Sequence, residues 1–256
     1  MCRFLAYAGE PAFLDTLLIE PASSLVNQSL AAREAKTTVN GDGCGIGWYG
    51  ARAEPGVYRG TLPAWSDANL ASLCHQVKAS MFLAHVRSAT SGEVSMANCH
   101  PFTAGRHLFM HNGQIGGYDH VRRAIEAMVP DDLYARRRGN GDSEAIFLAA
   151  LGRGLDADPV AAIAGTLSAC LAIMRAAGID AALRFTAILA DGQKLFAFRW
   201  ASDDRAPSLY WRRLEGGIAI ASEPFGTPDD QWQSVPAGTV MLAGGPEPVF
   251  RAFAVD

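Results

Sequence analysis

Five cysteines in 256 residues, none spaced as Cys-x-x-Cys, leave this chain without a disulfide framework or a zinc knuckle and fit a reducing compartment. A bilayer-length apolar run is also missing. The longest uncharged stretch, 159–174, contains Gly165, Thr166 and Ser168 and falls short of the roughly 20 residues that span a membrane, so it reads as a buried helix. The apolar run before Glu10 is too short for a secretory signal, and no hydrophobic segment precedes Cys2 to make a lipoprotein signal. The expected location is therefore cytoplasmic. Charge of one sign is scarce as well: a net charge of −4 and a pI near 5.9 exclude a global attraction to nucleic acid or to an anionic membrane. The one basic cluster, Arg136-Arg137-Arg138, precedes Gly-Asn-Gly and reads as a solvated loop. No repeat, low-complexity linker or composition break divides the chain. With 49% hydrophobic and 19% charged residues, a single globular domain over 1–256 is expected.

What is present begins at once. Met1-Cys2-Arg3 leads into the apolar run 4–8, and a small side chain at position 2 invites removal of the initiator methionine. Cys2 would then carry a thiol and a free α-amine, whose ordinary pKa of about 8 lets it take the thiol proton near neutral pH. Nucleophile and base would share one residue. Taken by itself, a cysteine opening a strand reads first as an incidental small apolar residue.

Arg3 to Ala8 reads as a buried strand, and a turn-rich region follows. The run Val39 to Gly50 holds five glycines, which implies tight turns and close backbone approach before Ile46, Trp48 and Tyr49 enter a strand. It is not a phosphate loop, since no Gly-Lys-Ser/Thr follows. Strands are expected at 81–86, ending in Arg87 to Gly92, and at 107–111, ending in Asn112-Gly113-Gln114. Polar clusters after buried strands are natural places for a site. Helices are expected at 118–128, 145–151 and 159–177, with Asp142-Ser143 marking a helix start and Gly178 a helix end. Strands at 185–190 and 194–199 flank Asp191-Gly192-Gln193, a hairpin turn, and further strands fall at 208–212, 217–221, 238–243 and 249–254. Strands, then helices, then strands argue for an α+β fold in which helices cover antiparallel sheets.

Six ordered motifs carry a resemblance: Met1-Cys2-Arg3-Phe4-Leu5, Asn40-Gly41-Asp42-Gly43, Ala84 to Thr90, Asn98 to Phe102, His111 to Ile115 and Gly141-Asp142-Ser143-Glu144, with Ala221-Ser222-Glu223-Pro224 extending it. Together they resemble the class II glutamine amidotransferases. The likeness is to the single-domain branch, which includes the amidotransferase-like subunit of glutathione degradation and the γ-glutamyl hydrolase of ergothioneine synthesis. The resemblance implies the four-layer αββα sandwich of N-terminal-nucleophile hydrolases, with hydrolysis of a γ-glutamyl amide through a Cys2 thioester. No metal or organic cofactor is implied. The alternatives are a glutaminase subunit that delivers ammonia to a partner synthase, a subunit working with a peptidase, or a non-catalytic sensor of γ-glutamyl ligands.

The resemblance also distributes roles. Arg87 would clasp the substrate α-carboxylate with its planar fork, the alternative being a surface ion pair. Thr90 would add a hydroxyl, or cap a turn. Asp142 would accept the α-ammonium, or serve as N-cap of the following helix. Asn112 and the Gly113 N–H would form the oxyanion hole, although Asn-Gly is also an ordinary turn. His85, His100, His111 and Cys99 have no zinc-site spacing, and His85 and His111 fall inside apolar strands; no catalysis is assigned to them. Two positions depart from the family. Asn40 stands where many larger members carry arginine, and Cys44 replaces a frequent aromatic, which would widen a wall near the site.

Overall fold

The computed structural model describes residues 2–34, 37–89, 93–227, 230–245 and 247–256. In chain order it runs β1 (Arg3–Phe13), α1 (Asp15–Leu18), α2 (Leu25–Ala31), β2 (Cys44–Trp48), β3 (Gly56–Gly60), α3 (Ala68–Gln76), β4 (Lys78–Val86), β5 (Phe102–Ala104) and β6 (His107–Ile115). Then come α4 (Tyr118–Glu126), α5 (Asp131–Tyr134), α6 (Asp142–Gly152), α7 (Pro159–Ala176), β7 (Leu183–Ala190) and β8 (Leu195–Ala201). The chain closes with β9 (Tyr210–Leu214), β10 (Gly217–Ala221), β11 (Gln233–Ser234), β12 (Thr239–Ala243) and β13 (Val249–Ala252).

Two antiparallel sheets result. One has the order β11-β9-β10-β1-β4-β2-β3, the other β13-β12-β8-β7-β6-β5. Because side chains alternate along a strand, each sheet presents two apolar faces. Phe4, Ala6, Met81, Leu83, Leu108, Met110, Ile188 and Ile220 meet in the layer between the sheets. Leu5, Tyr7, Phe82 and Ile46 face outward onto Leu17, Leu25 and Leu70 of the first three helices. Phe109, Phe185 and Phe198 face the other way onto Ile146, Phe147, Ile163 and Leu167 of α6 and α7. This is the four-layer αββα sandwich.

The turn-rich reading of the segment after β1 is corrected here, for 25–31 forms a helix capped by the Ser24 hydroxyl, which accepts from Asn27 N–H. The solvated reading of the arginine cluster is corrected for Arg137, whose buried guanidinium pairs with Glu126 at 2.8 Å and donates to the Tyr118 hydroxyl and the Gly141 carbonyl. The apolar stretch at 159–174 is helical, and α7 buries Ile163, Leu167, Cys170 and Met174.

Alternation also positions the site. Followed one step past Phe4 on β1, past Leu83 on β4, past Met110 on β6 and past Ile220 on β10, the layer between the sheets reaches Cys2, His85, Asn112 and Ser222. One end of an otherwise apolar layer is therefore polar.

Candidate active site

At that end lies a cavity of about 100 Å³, bordered by Cys2, Arg87, Asn112, Gly113 and Asp142. Five of the six residues singled out in the sequence thus line one space. The sixth, Thr90, lies outside the described residues, as does Met1.

Cys2 is held mainly through its backbone. Its carbonyl accepts from Asn112 Nδ2 at 2.7 Å and from Arg3 Nε at 2.8 Å, so one contact comes from each sheet. Phe4 N–H donates to the Ser222 hydroxyl at 2.9 Å, and the buried Arg3 guanidinium sits 3.6 Å from Glu223. That carboxylate also accepts from the Arg33 and Glu34 N–H groups. The thiol itself faces Ser88, whose N–H donates to Sγ at 3.3 Å and whose carbonyl lies 3.5 Å from it. Burial pushes the thiol pKa up, while the Ser88 N–H and the Arg87 and Arg3 cations pull against that rise. A raised thiol needs a base to become a nucleophile.

Arg87 follows the last residue of β4 and is almost fully buried. Its main chain is gripped by the glycine-rich motif: Arg87 N–H donates to Gly43 O, Asp42 N–H donates to Arg87 O, and Asp42 Oδ2 accepts from Ala89 N–H at 2.7 Å. Gly43 has φ of +113°, and a side chain there would press on Cys99 Sγ and the Gly60 carbonyl. The motif therefore aims the arginine segment without lining the cavity. The Arg87 side chain donates to the Glu93 carbonyl at 3.1 Å. Asn98 Nδ2 reaches the same oxygen and also bonds Asn140 Oδ1 at 2.9 Å, with Asn140 N–H returning to Asn98 Oδ1. Through this amide pair the arginine side of the cavity is tied to the loop that carries Asp142.

Asn112 and Gly113 do not form a turn. They sit inside β6, which runs on to Ile115 and pairs Asn112 with Thr186 and Gly113 with Phe185 of β7. Glycine is required at 113, because any Cβ would collide with the Arg184 carbonyl. Asp142 is the first residue of α6 rather than its cap. The N-cap is Gly141, and Asp142 Oδ2 accepts from Ile115 N–H of β6 at 2.8 Å, which joins helix to strand at the cavity edge. Its other oxygen lies 3.3 Å from the Ser143 hydroxyl.

Two histidines left without a role in the sequence, His100 and His111, also border the cavity. His85 lies behind them, its ring 4.3 Å from that of His100. Burial drives the His85 pKa down to about 3 and lowers those of His100 and His111, so all three imidazoles are neutral near pH 7. Ser88, Asn98 and Ser143 were not singled out by residue type, because their contributions come from main-chain groups and pairings that only the folded chain creates. Cys44 corrects the sequence reading: it points into the outer helical layer, near Leu62 O and Asp67 Oδ2, and is no wall of the cavity. Asn40 is fully buried, its main-chain N–H on Ser29 O, and lies off the cavity lining.

Comparison with known proteins places the chain in a family. Residues 16–210 match the family described as glutamine amidotransferases class-II, a span that includes Arg87, Asn112, Gly113 and Asp142 but begins after Cys2. A probable glutamine amidotransferase of Saccharomyces cerevisiae, DUG3, is 37% identical over 156 residues, which are 57% of this chain and 44% of that protein. The gamma-glutamyl-hercynylcysteine sulfoxide hydrolase of Mycolicibacterium smegmatis is 30% identical over 92% of each chain. A solved glutamine aminotransferase class-II domain protein from Silicibacter pomeroyi superposes with a TM-score of 0.80 at 36% identity, covering 99% of this chain and 100% of that one.

Proposed function

Since this chain belongs to the class II glutamine amidotransferases, we propose that it hydrolyses a γ-glutamyl amide with Cys2 as nucleophile. The observation that carries the reading is the convergence of Cys2, Asn112, Gly113, Arg87 and Asp142 on one cavity from β1, β6, the end of β4 and the start of α6. A γ-glutamyl head presents an α-carboxylate, an α-ammonium and a scissile amide. The cavity offers a cation, an anion and a thiol beside hydrogen-bond donors.

In this mechanism the Cys2 α-amine, freed by loss of Met1, takes the thiol proton as sulfur attacks the γ-carbonyl carbon. The tetrahedral oxyanion accepts from the Asn112 amide and the Gly113 N–H, each donor worth about 3 kcal/mol in the transition state. Asn112 Nδ2 carries two hydrogens; one holds the Cys2 carbonyl and the other serves the oxyanion. Collapse passes the proton to the leaving amine and forms a γ-glutamyl thioester. Water, deprotonated by the same amine, then attacks the thioester carbon, and glutamate leaves as the thiol is restored. Arg87 and Asp142 hold the two ends of the amino-acid head, so specificity lies in that head and the amine beyond the scissile bond is read less strictly.

Small γ-glutamyl compounds of the kind named in the mycobacterial relative are the proposed substrates, and the cytoplasm, where the five unpaired thiols stay reduced, the proposed location. Glutamate release from glutamine, γ-glutamyl peptides and γ-glutamyl thiol compounds by the Met-processed protein tests the reading. Release from at least one of them is expected, and its loss in Cys2→Ala. Full activity in a form retaining Met1 would overturn the mechanism. Ammonia delivery to a partner synthase would instead show as glutamine turnover stimulated by that partner.

A further inference from the structure

Behind Asp142 runs a short chain of polar groups that the mechanism above does not use. His111 Nε2 lies 3.3 Å from the Arg184 carbonyl of β7, and His111 Nδ1 lies 2.9 Å from the Ser143 hydroxyl of α6. Ser143 Oγ in turn lies 3.3 Å from Asp142 Oδ1. All three side chains border the cavity, and Ser143 and His111 are buried.

The chemistry of the ends fixes the direction of the middle. A carbonyl oxygen only accepts, so the proton of neutral His111 sits on Nε2 and Nδ1 presents a lone pair. The Ser143 hydroxyl has one hydrogen, and the nearer acceptor is Nδ1. Asp142 Oδ1 is then left as an acceptor facing the cavity, while Oδ2 is held by Ile115 N–H. We propose that His111 and Ser143 are positioning residues for the substrate ammonium: His111 draws the Ser143 hydrogen away from Asp142, so that Asp142 Oδ1 meets the ammonium with its charge undivided. This deepens the proposed function and rests on its assignment of Asp142 to the ammonium.

The same geometry reverses when His111 gains a proton. Nδ1–H then donates to Ser143 Oγ, the hydroxyl turns its hydrogen onto Asp142 Oδ1, and a positive charge stands one residue from the bound ammonium. Facing His111 are the Asp142 carboxylate on α6, the Arg184 carbonyl on β7 and the Phe109 and Phe185 rings; the neutral imidazoles of His85 and His100 lie close enough to feel its charge. Burial lowers the His111 pKa from 6.5, with Asp142 and the Arg184 carbonyl pulling it back up. Reading of the ammonium is therefore complete while His111 is neutral and fades as pH falls through its lowered pKa.

The test is the ratio of kcat/KM for a γ-glutamyl amide to that for its deamino analogue. At pH 8 the wild-type ratio should be about tenfold or more, the worth of a charge-assisted hydrogen bond. His111→Phe keeps the aromatic packing but removes the Nδ1 acceptor, so the Ser143 hydrogen turns to Asp142 and the ratio should fall by about threefold or more. Adding Ser143→Ala should restore it, a suppression that a merely structural loss at 111 would not show. Should His111→Phe fail to fold, the ratio is followed over the pH range in which NMR shows His111 gaining its proton: a fall in wild type that is flattened in Ser143→Ala supports the relay. An unsuppressed double mutant, no fall in wild type across that titration, or the same fall in Ser143→Ala as in wild type, overturns it. A wild-type ratio near one at pH 8 instead overturns the assignment of Asp142 on which the relay rests.

Discussion

Cys2 is gripped by its carbonyl while its thiol is presented by Ser88, so holding the residue and activating it are separate tasks. Cys2→Ala should therefore fold normally and bind substrate while releasing no glutamate, a split visible by comparing calorimetric binding with turnover. Asn112→Ala should lower kcat by about 10²–10³ with little change in KM, since its donor acts on charge that develops in the transition state. A raised KM with kcat unchanged would refute the oxyanion role. Burial raises the thiol pKa, and the α-amine that must deprotonate it has an ordinary pKa of about 8, so kcat/KM should climb about tenfold per pH unit below that value and level off above it. Arg87→Lys keeps the charge and loses the fork, and kcat/KM should fall by about ten- to a hundredfold.

At the scale of elements, most strands and helices were legible because their apolar residues form short continuous runs or recur at helical spacing, as in 81–86 and 159–177. Asn112-Gly113 reads locally as a turn, yet pairing with β7 carries the strand through it to Ile115, a tertiary preference that outweighs the dipeptide. Asp142 reads as a cap because caps are recognised by residue type, whereas its role as partner of Ile115 N–H depends on a strand 27 residues earlier. α2 and α3 were overlooked even though Ser24 and Asp67 cap them through side-chain oxygens. Asp158 does the same for α7, accepting from Val160 and Ala161 N–H at 3.0 Å. Asp158→Ala should cost about 1 kcal/mol, read as a fall in Tm of about 2–4 °C with kcat unchanged, because α7 lines no part of the cavity.

For the whole molecule the decisive fact is that the two sheets interleave along the chain: β1–β4 and β9–β11 form one, β5–β8 and β12–β13 the other. No single cut in the sequence leaves both sheets whole. The chain should therefore unfold as one unit, with far-UV circular dichroism and tryptophan fluorescence tracing the same denaturant transition; two separated transitions would show that it divides into domains. Sandwiching has a further effect on its thiols. Cys44, Cys74, Cys99 and Cys170 are buried in the core, and burial pushes Cys44, Cys74 and Cys170 up to about 12, while Cys2 alone is partly exposed and lines the cavity. An alkylating reagent added to the folded protein should consume one equivalent per chain. The bound label would then count competent active sites in any preparation.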